Sequence, residues 1–189
     1  MPDTQTVASP NSGTPLVKVG EHTTTATSDT STKKVKVDRK AVRRAQNEEY
    51  LKNPNVKAFL YMIGKSEGGD YHAKYGWTPG DTRWVFTDES THPGAGEGGH
   101  TTAAGLYQIN KAAWTEHGIK AMGLDDFSPH TQDLIAVEDL RVHNVLNPII
   151  AGDIKPAIDK LKPHEWVSFQ VHGFATLNAW FVEGGGGAK

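Results

Sequence analysis

A glutamate at the predicted end of a buried helix is the residue best placed for proton-transfer chemistry in this sequence. An apolar stripe with helical spacing runs from Val56 to Ile63, and four residues further along the same face lies Glu67. Gly68 and Gly69 follow at once and predict the end of the helix. A carboxyl group in that place is desolvated on one side and open to a ligand on the other, and desolvation raises a carboxyl pKa. Glu67 is therefore a candidate proton donor near neutral pH.

The elements that must position Glu67 are expected to be mostly helical. Capping signals and apolar periodicity predict helices over residues 38–51, 54–67, 103–117, 129–147 and 166–181, with a shorter one after Asp153. Between residues 70 and 100 the helical period is lost, and residues 83–87 are the best strand candidate. The sequence therefore predicts an α+β fold, mostly α, with a helical lobe and a small β lobe inserted after the first core helix.

The N-terminal part of the chain differs in composition from the rest. Residues 1–34 are rich in Thr, Ser, Gly and Pro and cannot build a core, and a run of Lys and Arg follows over residues 33–44. The basic run indicates either a solvated helix face or a contact with an acidic partner or with anionic lipid head groups. We predict that residues 1–52 form a tail and a basic helix, which serve as an attachment arm, and that residues 53–189 form one catalytic domain.

Composition excludes several classes of function. The formal net charge of −2 over 189 residues leaves no overall basic footprint, so nucleic acid is not an expected partner. The absence of cysteine excludes disulfides, zinc-thiolate sites and thiol nucleophiles. No signal peptide or membrane span is expected. The nine histidines include no His-Glu-x-x-His run, which disfavours a zinc peptidase, so neither a metal nor a cofactor is predicted.

Five short motifs, in order over about residues 55–183, carry a resemblance to a known family. They are Ser66-Glu67-Gly68; Phe86-Thr87-Asp88 with His92-Pro93; Ala104-Gly105-Leu106-Tyr107-Gln108-Ile109 followed by Trp114; Gly123-Leu124-Asp125-Asp126-Phe127-Ser128-Pro129 with Gln132-Asp133; and Gly152-Asp153-Ile154 with Ala157-Ile158-Asp159. With these motifs the sequence resembles the phage lambda endolysin-like lytic transglycosylases of the lysozyme-like superfamily. The resemblance implies a lysozyme-like fold, and it implies that Glu67 is the catalytic acid.

The same resemblance implies the residues that line a sugar cleft. Ser66 belongs to the motif around the acid, and Tyr107 and Gln108 are expected to line the cleft from the start of the second core helix; their alternative roles are core packing and helix capping. Trp77 and Trp84 in the β lobe are candidates to stack on sugar faces, although tryptophans in such segments also serve as packing residues.

The match breaks near the C-terminus. After Trp166 the family usually continues with a Pro-Gly-rich loop that carries an active-site tyrosine. This chain is several residues shorter there, and no tyrosine follows Tyr107. His172 stands in that segment and is a candidate for part of the space, without a role carried over from the family.

The implied activity is a lytic transglycosylase that cleaves the MurNAc-GlcNAc bond of peptidoglycan and leaves a 1,6-anhydro-muramoyl product. One alternative is a hydrolytic lysozyme whose second carboxylate comes from Asp70, Asp81, Asp88 or Glu89. The other is a catalytically silent virion protein with the same fold. The expected location is a phage tail, with residues 1–52 bound to tail or baseplate proteins, or the host cytoplasm followed by the periplasm.

Overall fold

The computed structural model describes residues 7–8, 15–17 and 37–187. Most of the predicted attachment arm therefore lies outside the described residues. The chain divides into two compact units, Met1–Asp38 and Arg39–Lys189. In the first unit, strands β1 (Val7–Ala8) and β2 (Pro15–Val17) pair antiparallel, with Val7 opposite Val17.

The second unit is built from helices, as the sequence predicts. Its α-helices are α1 (Arg39–Lys52), α2 (Pro54–Glu67), α3 (Lys111–Ala113), α4 (Pro129–Val142), α5 (Leu146–Ile150), α6 (Lys155–Leu161) and α7 (Phe174–Glu183). Helix α3 continues directly into a π-helix (Trp114–Met122), and two 3₁₀ turns lie at Glu97–Gly99 and Val167–Gln170. None of the helices in the described ranges is long and apolar enough to span a membrane.

Helix α2 runs through the core and carries Glu67 at its last position. The Asn53 side chain accepts hydrogen bonds from the backbone N–H groups of Asn55 and Val56 at 2.9 and 3.3 Å, which caps the first turn. Gly68 ends the helix with φ +62°, a conformation that glycine adopts without a steric penalty. Local signals in the sequence thus place the carboxyl group where the helix emerges from the core, as predicted.

Helix α1 packs on the helical unit instead of extending away from it. Glu138 of α4 is 1% exposed and accepts hydrogen bonds from Arg43 Nη1 at 2.9 Å and Asn47 Nδ2 at 2.8 Å, both on α1. Arg141 binds the same carboxylate at 2.7 and 2.9 Å. The buried charge is compensated by two cations, so removing either partner is costly. The compact unit therefore begins at Arg39, whereas the sequence-based boundary stood between residues 52 and 53.

The segment between α2 and α3 is the small lobe that the sequence predicts, but it is held by isolated bridges. Ala73 pairs with Val85, Lys74 with Ala104, and Ala104 with Ile109. The strand expected over residues 83–87 is reduced to the bridge at Val85 because tight side-chain-stabilised turns interrupt the extended backbone on both sides.

The turn over residues 104–109 is stabilised by a buried side chain of α4. Gln132 is fully buried, and its Oε1 accepts a hydrogen bond from Leu106 N at 3.1 Å. Its Nε2 donates to the backbone oxygens of Tyr71 and Phe127, each at 3.0 Å. The helix expected from residue 103 begins at Lys111, so Gln108, with φ +50°, belongs to this turn.

Candidate active site

Glu67 opens into a cleft that consists of two adjoining cavities. A cavity of about 230 Å³ lies against the small lobe and is lined by Glu67, Trp77 and Gln108, among others. A cavity of about 550 Å³ lies on the other side and is lined by Glu67, Gln108 and Ser168, among others. Tyr75 lines both cavities. The carboxyl group therefore lies where the two cavities meet.

Burial sets the electrostatics of Glu67. The side chain lies half-buried at the mouth of the core, and this desolvation raises the carboxyl pKa above its ordinary value. The Ser168 hydroxyl, which donates to Glu67 Oε1 at 2.5 Å, and the electrostatic interaction with His172 lower the pKa and offset part of the rise. A carboxyl group with a raised pKa retains its proton closer to neutral pH and is suited to general acid catalysis.

Two serine hydroxyls connect Glu67 to the backbone of α2. Ser66 Oγ donates to the Ile63 carbonyl at 2.8 Å and lies 3.0 Å from Ser168 Oγ. Because the Ser66 proton is committed to Ile63, the Ser168 hydroxyl has two possible acceptors, Glu67 and Ser66. It can donate to Glu67 when the carboxyl group is ionised and turn to Ser66 when the carboxyl group carries its own proton. This arrangement stabilises both protonation states.

The structure brings some of the predicted site residues together and separates others. Trp77 and Gln108 line the cleft, and Ser66 is buried beneath it. Tyr107 lies in the core, only 4% exposed, and lines neither of the two cavities of the cleft. Its hydroxyl donates to Asp133 Oδ1 at 2.6 Å, so its position is that of a residue that supports the turn below the cleft.

Trp84 and His172 lie beside the cleft rather than along its walls. The Trp84 carbonyl accepts a hydrogen bond from Lys74 N at 2.8 Å, so this residue braces the small lobe. The His172 ring contacts the Trp180 ring edge-on, with 4.8 Å between the ring centroids. Its effect on the pKa of Glu67 is electrostatic. Neither residue lines either of the two cavities at Glu67.

Three cleft residues were not predicted from the sequence. Tyr75 is 48% exposed in the groove, and its spacing of two residues from Trp77 was the available signal. Ser168 and Glu165 line the larger cavity from the segment that precedes α7. Ser168 follows Glu67 by 101 positions in the chain, and no local sequence pattern predicts their contact.

The four carboxylates proposed as partners of Glu67 lie elsewhere. Asp81 is paired with Arg83 at 2.7 Å, and Glu89 contacts His72 at 2.7 Å. The Asp70 and Asp88 side chains accept hydrogen bonds from backbone N–H groups two residues further on. None of the four lines either cavity at Glu67, whereas Glu165 lines the larger one.

Comparison with known proteins gives the family of the chain. A sequence model of the endolysin family matches residues 57–186. The chain belongs to the endolysin family. It is 34% identical to the endolysin of Escherichia phage lambda over 149 residues, which cover 71% of this chain and 93% of that protein. It is also 34% identical to the endolysin of Escherichia phage P2, over 64% of this chain and 82% of that one.

Solved structures support the same assignment for this endolysin. The lambda lysozyme in complex with a chitohexasaccharide superposes with a TM-score of 0.63 at 32% identity, covering 72% of this chain and 97% of that one. A second lambda lysozyme structure gives 0.61 at 31% identity. The predicted lysozyme-like fold is confirmed, and the family identifies the chain as a peptidoglycan-degrading endolysin. Helix α1 lies outside the family match.

Proposed function

We propose that this endolysin is a lytic transglycosylase that cleaves the MurNAc-GlcNAc bond of peptidoglycan with Glu67 as both acid and base. The observation that carries the proposal is a half-buried carboxyl group with a raised pKa, which lies where the two cavities meet. Its partner Ser168 can donate a hydrogen bond either to Glu67 or to Ser66. A hydrolase of the common type needs a second carboxylate flanking the same bond. A transglycosylase needs only one.

Glu67 takes part in two proton transfers. Glu67 first gives its proton to the glycosidic oxygen, and the bond from that oxygen to C1 of the muramoyl residue breaks, which leaves positive charge on C1. The Glu67 carboxylate then takes the proton of the muramoyl C6 hydroxyl as that oxygen bonds to C1. The product is a 1,6-anhydro ring, no water is consumed, and Glu67 is protonated again.

Ser168 supports both halves of this cycle. After the first proton transfer the new carboxylate is stabilised by the hydroxyl that donates to Glu67 Oε1. When Glu67 is protonated, the same hydroxyl can donate to Ser66 Oγ, 3.0 Å away. Both serine hydroxyls therefore have an acceptor in either state.

The two cavities of the cleft fit a chain of sugar residues. The lambda relative was solved with a chitohexasaccharide, an oligomer of six sugars. In this endolysin, Tyr75 and Trp77 offer aromatic surface on the side of the small lobe, and Gln108 offers an amide beside Glu67. Aromatic rings bind the apolar faces of sugars, and amides bind their hydroxyl and acetamido groups.

A pair of serine variants tests the proton-transfer role of Glu67. Ser168→Ala removes the donor that lowers the Glu67 pKa, so the alkaline limb of the pH–activity profile is expected to move to higher pH. Ser66→Ala frees the Ser168 hydroxyl to donate to Glu67 alone, so the limb is expected to move to lower pH. Profiles of initial rates of wall lysis measure both shifts. Shifts of the same sign in the two variants would contradict the assigned roles.

The hydrolytic alternative rests on Glu165, which shares the larger cavity with Glu67. If Glu165 were the second carboxylate, Glu165→Gln would reduce the rate of wall lysis about as severely as Glu67→Gln. We expect Glu165→Gln to lower the rate by no more than about tenfold, far less than removal of the general acid. Equal losses in the two variants would favour the hydrolase.

The attachment of the protein to a virion stays a proposal. We propose that residues 1–38, which precede the helical unit, bind tail or baseplate proteins of a phage. Because α1 contacts α4, we place the proposed arm in the residues before Arg39, whereas the sequence-based proposal extended it to residue 52. Mass spectrometry of purified virions would detect the chain if it is packaged, and its absence from virions would favour storage in the host cytoplasm.

A further inference from the structure

A second cluster of ionisable side chains lies where α4 ends, and one of its members also lines the larger cavity of the cleft. It consists of Asp139 on α4, His143 at the C-terminal cap of the same helix, and Glu165 before the 3₁₀ turn. One nitrogen or oxygen atom from each of the three lies within 4.8 Å of the others. Imidazole and carboxylate groups converging at this distance are the ligand types of a transition-metal ion.

The orientation of His143 suits a metal ligand. Its Nδ1 lies 2.9 Å from the backbone oxygen of Asp139, a contact that requires Nδ1 to carry the proton. In the neutral tautomer with that proton on Nδ1, Nε2 carries the lone pair that a metal ligand needs, and Nε2 faces Glu165, whose Oε1 is 3.2 Å away. Two ligands bound at about 2.0–2.1 Å to one tetrahedral ion are separated by about 3.3 Å.

Asp139 is the least exposed member of the cluster and has the weakest contacts. The residue is 8% exposed, and its Oδ1 lies 3.5 Å from His117 Nε2 and 3.6 Å from His143 Nδ1. Both distances exceed the 2.7–2.9 Å or so of a charge-assisted hydrogen bond. A buried carboxylate is costly unless it is tightly paired or coordinates a metal. A cavity of about 70 Å³ adjoins Asp139 and is also lined by His117 and Glu165.

We propose that Asp139, His143 and Glu165 form a site for a divalent first-row transition-metal ion such as Zn²⁺, with His117 or water as a further ligand. The proposal does not rest on the proposed function, and it departs from the expectation from sequence that the chain has no metal site. The mixed nitrogen and oxygen ligands suit Zn²⁺, whereas Mg²⁺ and Ca²⁺ prefer oxygen ligands throughout.

The site would brace one wall of the cleft. Glu165 lines the larger cavity with Glu67 and precedes Ser168 by three residues. An ion that joins Glu165 to α4 through Asp139 and His143 would hold the segment that carries Ser168. The proposed role of the ion is structural, because the proposed reaction uses no metal.

Titration of the full chain with ZnCl₂ after treatment with a chelator tests the site. Isothermal calorimetry is expected to show about one equivalent bound, and the thermal midpoint to rise by roughly 5–10 °C at a hundredfold excess over Kd. His143→Ala and Glu165→Gln are each expected to weaken binding by at least about tenfold.

His164→Ala is the matched control, because His164 is exposed and adjacent to Glu165 without belonging to the cluster. It is expected to bind Zn²⁺ as the wild type does. The proposal would be overturned if the wild type bound Zn²⁺ no more tightly than the two cluster variants do. It would also be overturned if His164→Ala weakened Zn²⁺ binding as much as the cluster variants. Glu165→Gln alters an exposed side chain and is expected to fold. Zn²⁺ binding by this variant therefore tests the proposal even if His143→Ala fails to fold.

Discussion

Glu67→Gln is expected to lower the rate of peptidoglycan lysis by about 100- to 10,000-fold, because it removes the proton that the glycosidic oxygen must receive. The variant keeps the shape of the side chain and an acceptor for the Ser168 hydroxyl. Turbidity of permeabilised Gram-negative cells measures the rate. Retention of most of the activity would contradict the assignment of Glu67, and an inactive wild type would favour the catalytically silent alternative.

The same variant is expected to be at least as stable as the wild type at neutral pH. Burial raises the Glu67 pKa in the folded state, so protonated Glu67 favours folding and this contribution is lost as the pH rises through the folded pKa. Glutamine carries no charge and avoids the cost of burying the carboxylate. The thermal midpoints of the two proteins should converge at acid pH and separate as the pH rises. A lower midpoint for Glu67→Gln at neutral pH would show that the ionised carboxylate stabilises the fold.

Gly105→Ala is expected to lower the free energy of unfolding by about 3 kcal/mol. Gly105 has φ +74°, and a Cβ atom built on it would overlap Gln132 Oε1. Gln132 cannot withdraw without losing its hydrogen bonds to Leu106, Tyr71 and Phe127. Urea denaturation followed by circular dichroism measures the loss.

Gly99→Ala separates the steric clash from the backbone strain. Gly99 has φ +70°, but a Cβ atom there would meet nothing within 4 Å. Its substitution should cost only the strain of the left-handed backbone, about 1–2 kcal/mol. If Gly105→Ala and Gly99→Ala lowered the free energy of unfolding equally, backbone strain alone would account for both. The close packing of Gln132 on Gly105 would then not stabilise the turn.

Local signals in the sequence were sufficient to position Glu67. Asn53 and Pro54 predict the start of α2, and Gly68 predicts its end, because capping and left-handed backbone depend on neighbouring residues alone. The apolar stripe between these signals identifies the buried face. The placement of the carboxyl group at the mouth of the core follows from these features.

The partners of Glu67 could not be predicted in the same way. Ser168 reaches Glu67 through tertiary packing of distant segments. Tyr107 was expected in the cleft, yet its side chain is buried and its hydroxyl donates a hydrogen bond to Asp133 of α4. A sequence pattern does not distinguish these two orientations. The docking of α1 depends on hydrogen bonds from Arg43 and Asn47 to the buried Glu138 of α4. The sequence of α4 does not indicate that Glu138 has these partners.

Digestion of purified peptidoglycan in oxygen-18-labelled water tests the central claim most directly. If Glu67 transfers the proton of the C6 hydroxyl, mass spectrometry should find muramoyl fragments that are one water lighter than hydrolysis products, carry no label and resist borohydride reduction. Fragments that carry one labelled oxygen at a reducible muramic acid end would contradict the proposed mechanism and identify the protein as a hydrolase.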